Sequence, residues 1–235
     1  VRRQPFGGWK NSSFGPGAKA GGPNYCLLFG HWSNSGQPRS AATVFGRTAM
    51  LLEKLCVALP SAANQLRAAA ASDAAAWNSE FGIDHDPSGL SCESNTFRYR
   101  PFANSIVRAG DETSDAELAR VLLAASTSGT KLELSVSLSR AFLTAVGADV
   151  IVEDDATFEK RLISAKLPWQ GLRAPGASPS IKAAAIEAGL RLVDQPILWN
   201  GRIELLWLLR EQSVSETLHR YGNVLPTPEQ LGIPS

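Results

Sequence analysis

Ser105-Ile106-Val107-Arg108, then SDAELARVLLAASTSG over 114–129, then Lys131-Leu132-Glu133-Leu134-Ser135-Val136-Ser137 decide how this chain folds. The first run is short and apolar, a strand candidate. In the second, Ser114 and Glu117 have capping-box spacing, and Leu118, Val121, Leu122 and Ala125 fall at i, i+3, i+4 and i+7. Gly129 stands where a helix C-cap glycine belongs. The spacing predicts a helix over 114–128. In the third run Leu132, Leu134 and Val136 alternate with polar residues, which predicts a strand over 131–137. Strand, helix and strand in close succession form the unit from which parallel sheets are built.

The pattern continues downstream. A short helix is predicted over 139–146, a strand over 149–152, and a helix over 155–163 whose acidic opening suits its dipole. Ser178 as N-cap and Pro179 at the first helical position open another helix, which ends at Gly189. A strand follows over 190–193. Residues 203–209 are apolar almost all round and predict a buried helix; 214–218 is the last strand. The expected fold is α/β, with a Rossmann-like, mainly parallel sheet and flanking helices.

Upstream, Asp86-Pro87-Ser88-Gly89 is a turn signature inside a polar loop over 84–95. Residues 41–81 are rich in Ala and Leu and predict two helices broken at Pro60, with Ser61 as N-cap of the second. Residues 1–40 are rich in Gly, Pro, Ser and Asn and predict an irregular segment that is ordered only against something larger. Three regions are therefore expected: 1–40, a helical connector and loop over 41–96, and a Rossmann-like domain over 97–235.

The composition is that of a globular chain, 44% apolar and 19% charged, and the net charge of +1 argues against a nucleic-acid partner. The tryptophans do not interleave with basic residues, which argues the same way. No apolar run reaches the ~18–20 residues of a membrane helix, so no span is expected. Cys26, Cys56 and Cys92 are far apart, form no CxxC pair and have no histidine at metal-site spacing. They are read as reduced structural thiols, without a catalytic or metal role.

A resemblance enters with Arg3-Gln4-Pro5-Phe6-Gly7-Gly8-Trp9-Lys10 and the stretch from Ser12-Ser13-Phe14 through Gly15-Pro16-Gly17-Ala18-Lys19-Ala20-Gly21-Gly22-Pro23-Asn24-Tyr25. This resembles the C-terminal motif of aldehyde dehydrogenases, nearest to the glutamate-semialdehyde (pyrroline-5-carboxylate) branch and to the proline-utilisation A (PutA) proteins. A second match, far away, is Glu93, Asn95 and Phe97-Arg98-Tyr99-Arg100-Pro101, with Gly201-Arg202-Ile203-Glu204-Leu205-Leu206, Arg210-Glu211-Gln212-Ser213 and His219-Arg220-Tyr221-Gly222-Asn223. These residues resemble the C-terminal domain of the longer PutA chains; residues 41–80 match only loosely. No initiator methionine precedes the motif, so a fragment of a longer chain is expected.

The resemblance implies a cytoplasmic, bifunctional parent that oxidises proline with FAD and then glutamate semialdehyde with NAD. It implies that 1–40 is a remnant of the dehydrogenase module. The domain that follows would lack catalytic residues and cover the path of the intermediate. The family's catalytic cysteine and glutamate lie upstream of this motif, so no catalytic residue is assigned and the isolated chain is expected to be inactive. Phe6 matches the aromatic that flanks the aldehyde's carbon chain; Gly7 and Gly8 beside it complete the expected substrate-binding residues, though a plain tight turn also accounts for the two glycines. The expected partners are the upstream dehydrogenase domains of the same polypeptide, with homo-oligomerisation left open. The rival reading is a stand-alone, non-catalytic scaffold or binding module with a dehydrogenase-like fold.

Other motifs receive structural readings. Gly15, Gly17, Gly21 and Gly22 have no leading strand and no Gly-Lys-Ser/Thr, so they and Lys19 are not a phosphate loop. No glycine fingerprint follows a strand, so neither NAD nor any other cofactor is expected on this segment. Glu153-Asp154-Asp155 precedes a helix and reads as capping, since a calcium loop needs further spaced oxygens. His219-Arg220-Tyr221 lacks a nucleophile nearby and reads as structural. Arg202 and Glu204 are candidates for ion pairs that fix the tail, with a solvated face as the alternative for these and for Arg210 and Glu211.

Overall fold

The strand predicted at 105–108 is the centre of the molecule. The computed structural model describes residues 4–8, 18–164, 170–220 and 223–224. Within it, β2 (Asn104–Ala109) pairs in parallel with β3 (Lys131–Val136) on one side and β5 (Gly171–Arg173) on the other. β4 (Val150–Val152) and β6 (Arg191–Val193) complete a five-stranded sheet of order β4-β3-β2-β5-β6. The chain fills one half from β2 outward, crosses over and fills the other, which is the doubly wound arrangement. The expected fold class holds: a mixed α/β architecture with a parallel Rossmann-like sheet.

The helices α3 (Asp115–Ser128), α4 (Ala141–Val146), α5 (Asp155–Ser164) and α6 (Pro179–Glu187) make the crossovers. Along β2, Val107 and Ala109 join the core that holds Leu118 and Val121 of α3 and Phe142 and Leu143 of α4. Ile106 faces the opposite way, into a core with Phe158 and Leu162 of α5 and Ile181 and Ala184 of α6. Side chains that alternate across a strand explain this split. Each fully buried Leu or Val in these layers contributes about 1.5–3 kcal/mol relative to exposure. In α3, Ser114 Oγ accepts the Glu117 N–H at 3.2 Å and Glu117 Oε2 accepts the Ser114 N–H at 2.9 Å, the capping box read from the sequence. Gly129 ends this helix at φ +80°, a left-handed conformation that favours glycine. Ser178 caps α6 with Pro179 in its first turn, also as expected.

Two further helices, α1 (Gly46–Ala58) and α2 (Ala63–Ala76), lie on the α3 and α4 side and share its core through Leu52, Leu55, Leu66 and Ala69. The expected break at Pro60 is present, but the expected Ser61 cap is not. Pro60–Ala62 form a 3-10 turn that leads straight into α2, and Ala62 takes the N-cap position without a side-chain bond. The fully buried Arg120 of α3 clamps α2 by a two-pronged pair with Asp73, at 2.8 and 2.6 Å.

Three further expectations need correction. β5 was not foreseen. Residues 203–209 are not one helix: α7 (Gly201–Leu206) is capped by Asn200 and ends early, because Leu209 already pairs with Pro101. The strand expected at 214–218 is the end of a longer one, β7 (Leu209–Thr217), which lies outside the parallel sheet. It forms an antiparallel ribbon with β1 (Glu93–Pro101), a strand that was not foreseen and that begins inside the polar loop expected over 84–95. The short strands β8 (His219–Arg220) and β9 (Asn223–Val224) pair antiparallel as a separate two-stranded sheet.

Candidate functional site

The ribbon of β1 and β7 carries the segment that contains Phe6. Phe6 and Ala20 exchange backbone hydrogen bonds of 3.2 and 3.0 Å, a single antiparallel bridge. Pro5 O accepts the Ser213 hydroxyl at 2.5 Å, and Gln4 Nε2 donates to Val214 O at 2.9 Å. Lys19 Nζ donates to Gly7 O. Gly7 has φ +136°, which suits glycine, and Gly8 is half-buried. Phe6 is 67% exposed, so its ring is free to meet a surface outside these residues. A groove of about 440 Å³ lies beside it, lined by Phe6, Gly7, Lys19, Glu93, Asn95 and Ser213 among others.

Beneath the segment is a buried polar cluster. Glu211 of β7, 2% exposed, accepts the Lys19 N–H at 2.6 Å and Asn24 Nδ2 at 2.8 Å. Asn24 Nδ2 also donates to the Tyr99 hydroxyl at 2.9 Å, which in turn donates to Glu80 Oε1 at 2.9 Å. Arg202 Nη2 bridges Asn24 Oδ1 and Glu80 at 2.7 and 2.8 Å. Burial pushes the Glu211 carboxyl above the usual carboxylate range, with the Lys19 amide and Asn24 pulling the other way. Burial, then the Glu80 charge, pushes the Tyr99 phenol upward, so it stays a donor at neutral pH. Glu80 is presented by a π-helical turn, Trp77–Phe81, at the end of α2. Sequence reasoning weighed Glu211 only beside Arg210 and missed Asn24 and Tyr99 as members of a network.

The other motifs resolve into structural roles. Glu204 is fully buried and takes Arg173 Nε at 3.0 Å and the Leu198 N–H at 2.8 Å, so the ion-pair reading holds over the solvated face. Arg202 makes its pair with Glu80, at 2.8 Å. Asp154 Oδ1 accepts the Thr157 N–H at 2.8 Å, as a cap does, while Arg161 and Ser135 hold Glu153 and Arg108 holds Asp155. Cys56 is buried, which pushes its thiol up, and Arg67 donates to its sulfur at 3.0 Å. Cys26 is exposed and Cys92 half-buried, and neither side chain has a hydrogen-bond partner among the described residues. Residues 1–3, 9–17 and 221–222 lie outside the described residues, and with them Arg3, Trp9, Lys10, Gly15, Gly17 and Tyr221.

In a doubly wound sheet, ligands sit beyond the strand ends at the switch point, here between β2 and β5. A dinucleotide pyrophosphate needs free backbone N–H groups at a helix N-terminus there. At the two helix starts here, Ser114 Oγ takes the Glu117 N–H of α3 and Ser178 Oγ takes the Ile181 N–H of α6. Asp111 and Glu112 occupy the loop after β2, and Asp111 takes the Ser137 hydroxyl. Among the described residues no His, Cys, Asp and Glu group has metal-site geometry, and no helix is long and apolar enough to cross a membrane.

The parallel sheet with its crossover helices defines the chain as a Rossmann-like α/β protein with an antiparallel ribbon that clasps its N-terminal segment. No protein-family model matches it, and comparison with curated proteins finds no match. Among solved structures, PutA from Corynebacterium freiburgense is 37% identical and covers 95% of this chain with a TM-score of 0.66. The chain spans 20% of that PutA's length. A second PutA structure, with proline bound in remote sites, is 19% identical, covers 65% of this chain and 17% of its own, and has a TM-score of 0.40. Succinate-semialdehyde dehydrogenase from Burkholderia pseudomallei is 15% identical, with coverages of 62% and 35% and a TM-score of 0.43. The last two are too remote to add to the first. The resemblance read from the sequence holds: the chain is PutA-like along nearly all of its length.

Proposed function

We propose that this chain is the C-terminal part of a bifunctional proline-catabolic enzyme of PutA type. In this reading it covers or docks on the NAD-dependent glutamate-semialdehyde dehydrogenase module of the same polypeptide and oxidises nothing alone. The observation that carries it is the 37% identity to a PutA over 95% of the chain. The site geometry supports it. Phe6 projects from a loop that Glu211 and Ser213 hold from behind, so a ring is offered outward on a braced support. In the parent, Phe6 would lie along the methylenes of the semialdehyde, with Gly7 and Gly8 allowing close backbone approach.

NAD and FAD belong to the rest of the polypeptide in this reading, which the side-chain caps of α3 and α6 and the acidic Asp111 and Glu112 at the switch point support. Thiol chemistry at the aldehyde needs an activated cysteine, and burial works against that at Cys56. The setting would be cytoplasmic. The test uses a full PutA polypeptide that carries this segment, compared with one lacking residues 97–235. Proline is the substrate, NADH formation the readout, and an added aromatic amine traps released semialdehyde. A lag in NADH and increased trapping in the shortened enzyme support a covering role; identical traces overturn it.

A further inference from the structure

A small cavity of about 10 Å³ lies under the polar cluster, between Arg191 of β6, Trp207 just after α7 and Glu211 of β7. Trp207 is 4% exposed. Its indole Nε1–H and the Nε–H of Arg191 are both buried, and neither meets an acceptor among the described residues. Arg191 is held in place by its Nη1, which donates to Leu209 O at 2.9 Å, and by its stacking over Phe102 at 5.1 Å. Glu211 has a carboxylate with lone pairs to spare after serving Lys19 and Asn24. Arg191 and Glu211 attract each other, yet no direct ion pair joins them.

Two residues with bare buried donors and one of opposite charge line a space close to that of one water molecule. A buried N–H without an acceptor is costly, and a hydroxylic bridge removes two such costs at once. We propose that this cavity is a hydration site. One internal water accepts from Arg191 Nε and Trp207 Nε1 and donates to Glu211, so that Arg191 supports the carboxylate that clasps the Phe6-bearing segment. An anion such as chloride would satisfy both donors but would set a second negative charge beside a buried carboxylate, which disfavours it. This inference rests on the cavity and its donors and stands apart from the proposed function.

The test is heteronuclear NMR on the isotope-labelled 235-residue chain, reading magnetisation transfer from water to the tryptophan indole protons. Trp207→Phe identifies the Trp207 signal by its disappearance. A direct dipolar cross-peak between the Trp207 indole proton and a long-lived water supports the site. No cross-peak at a slowly exchanging Trp207 indole means a dry cavity and overturns it. A crystal grown in bromide that shows an anomalous peak between Arg191 and Trp207 also overturns it, in favour of an anion.

Discussion

Glu211 on β7 accepts the backbone N–H of Lys19 at 2.6 Å, joining positions 192 apart in sequence. The same carboxylate takes Asn24, so one buried side chain holds the N-terminal segment at two points. Glu211→Gln replaces one acceptor oxygen by a donor that faces another donor. We expect a loss of about 1–3 kcal/mol in denaturant unfolding and faster hydrogen exchange at Lys19 and Ala20. Unchanged exchange there would show that the segment is held by other contacts.

Asp73 and Arg120 are both fully buried, and burial pushes the Asp73 carboxyl up to about 6 despite the opposing pull of Arg120. The folded chain therefore keeps a proton on Asp73 at pH values where the unfolded chain has released it. On account of this residue, stability falls as pH rises from about 4 to about 6. Asp73→Ala leaves a buried guanidinium without its partner and is expected to cost about 3–5 kcal/mol. Asp73→Asn, where it folds, should flatten the pH slope in that window; chemical denaturation across pH reads both.

Gly201 opens α7 against α2, and a Cβ built on it would lie 2.4 Å from the Asp73 nitrogen and from the Ser72 carbonyl carbon. Both are backbone atoms and cannot swing aside. Gly201→Ala is expected to lower stability by about 1–3 kcal/mol or more, well above the tenths seen for alanine on an exposed helix. A melting temperature within a degree of the parent would contradict this packing.

How much of this was legible in the sequence differs by element. α3 could be read because its signals are local: Ser114, Glu117 and Gly129 act within their own turns. β5 could not, because three residues carry no period and Gly171–Arg173 is a strand only through its neighbours β2 and β6. Ser61 misled because a serine after a proline looks like a cap whether or not a 3-10 turn takes the chain past it. In the candidate site, Phe6 was reached by resemblance, whereas Glu211, Asn24 and Tyr99 meet across long sequence separations that no local pattern records.

Phe6 offers a sharper functional test. In a PutA polypeptide that carries this segment, Phe6→Ala is expected to lower kcat/KM for glutamate semialdehyde roughly tenfold, from lost apolar contact. NAD affinity should stay nearly unchanged, because the proposed contact of Phe6 is with the aldehyde's carbon chain. Equal losses for aldehyde and NAD would make Phe6 a structural residue instead.

The most direct measurement feeds the purified chain glutamate semialdehyde and NAD and follows the absorbance of NADH. A flat trace is predicted, beside steady reduction by a whole PutA polypeptide carrying the segment. Nicotinamide reduction by the 235 residues alone would contradict the account.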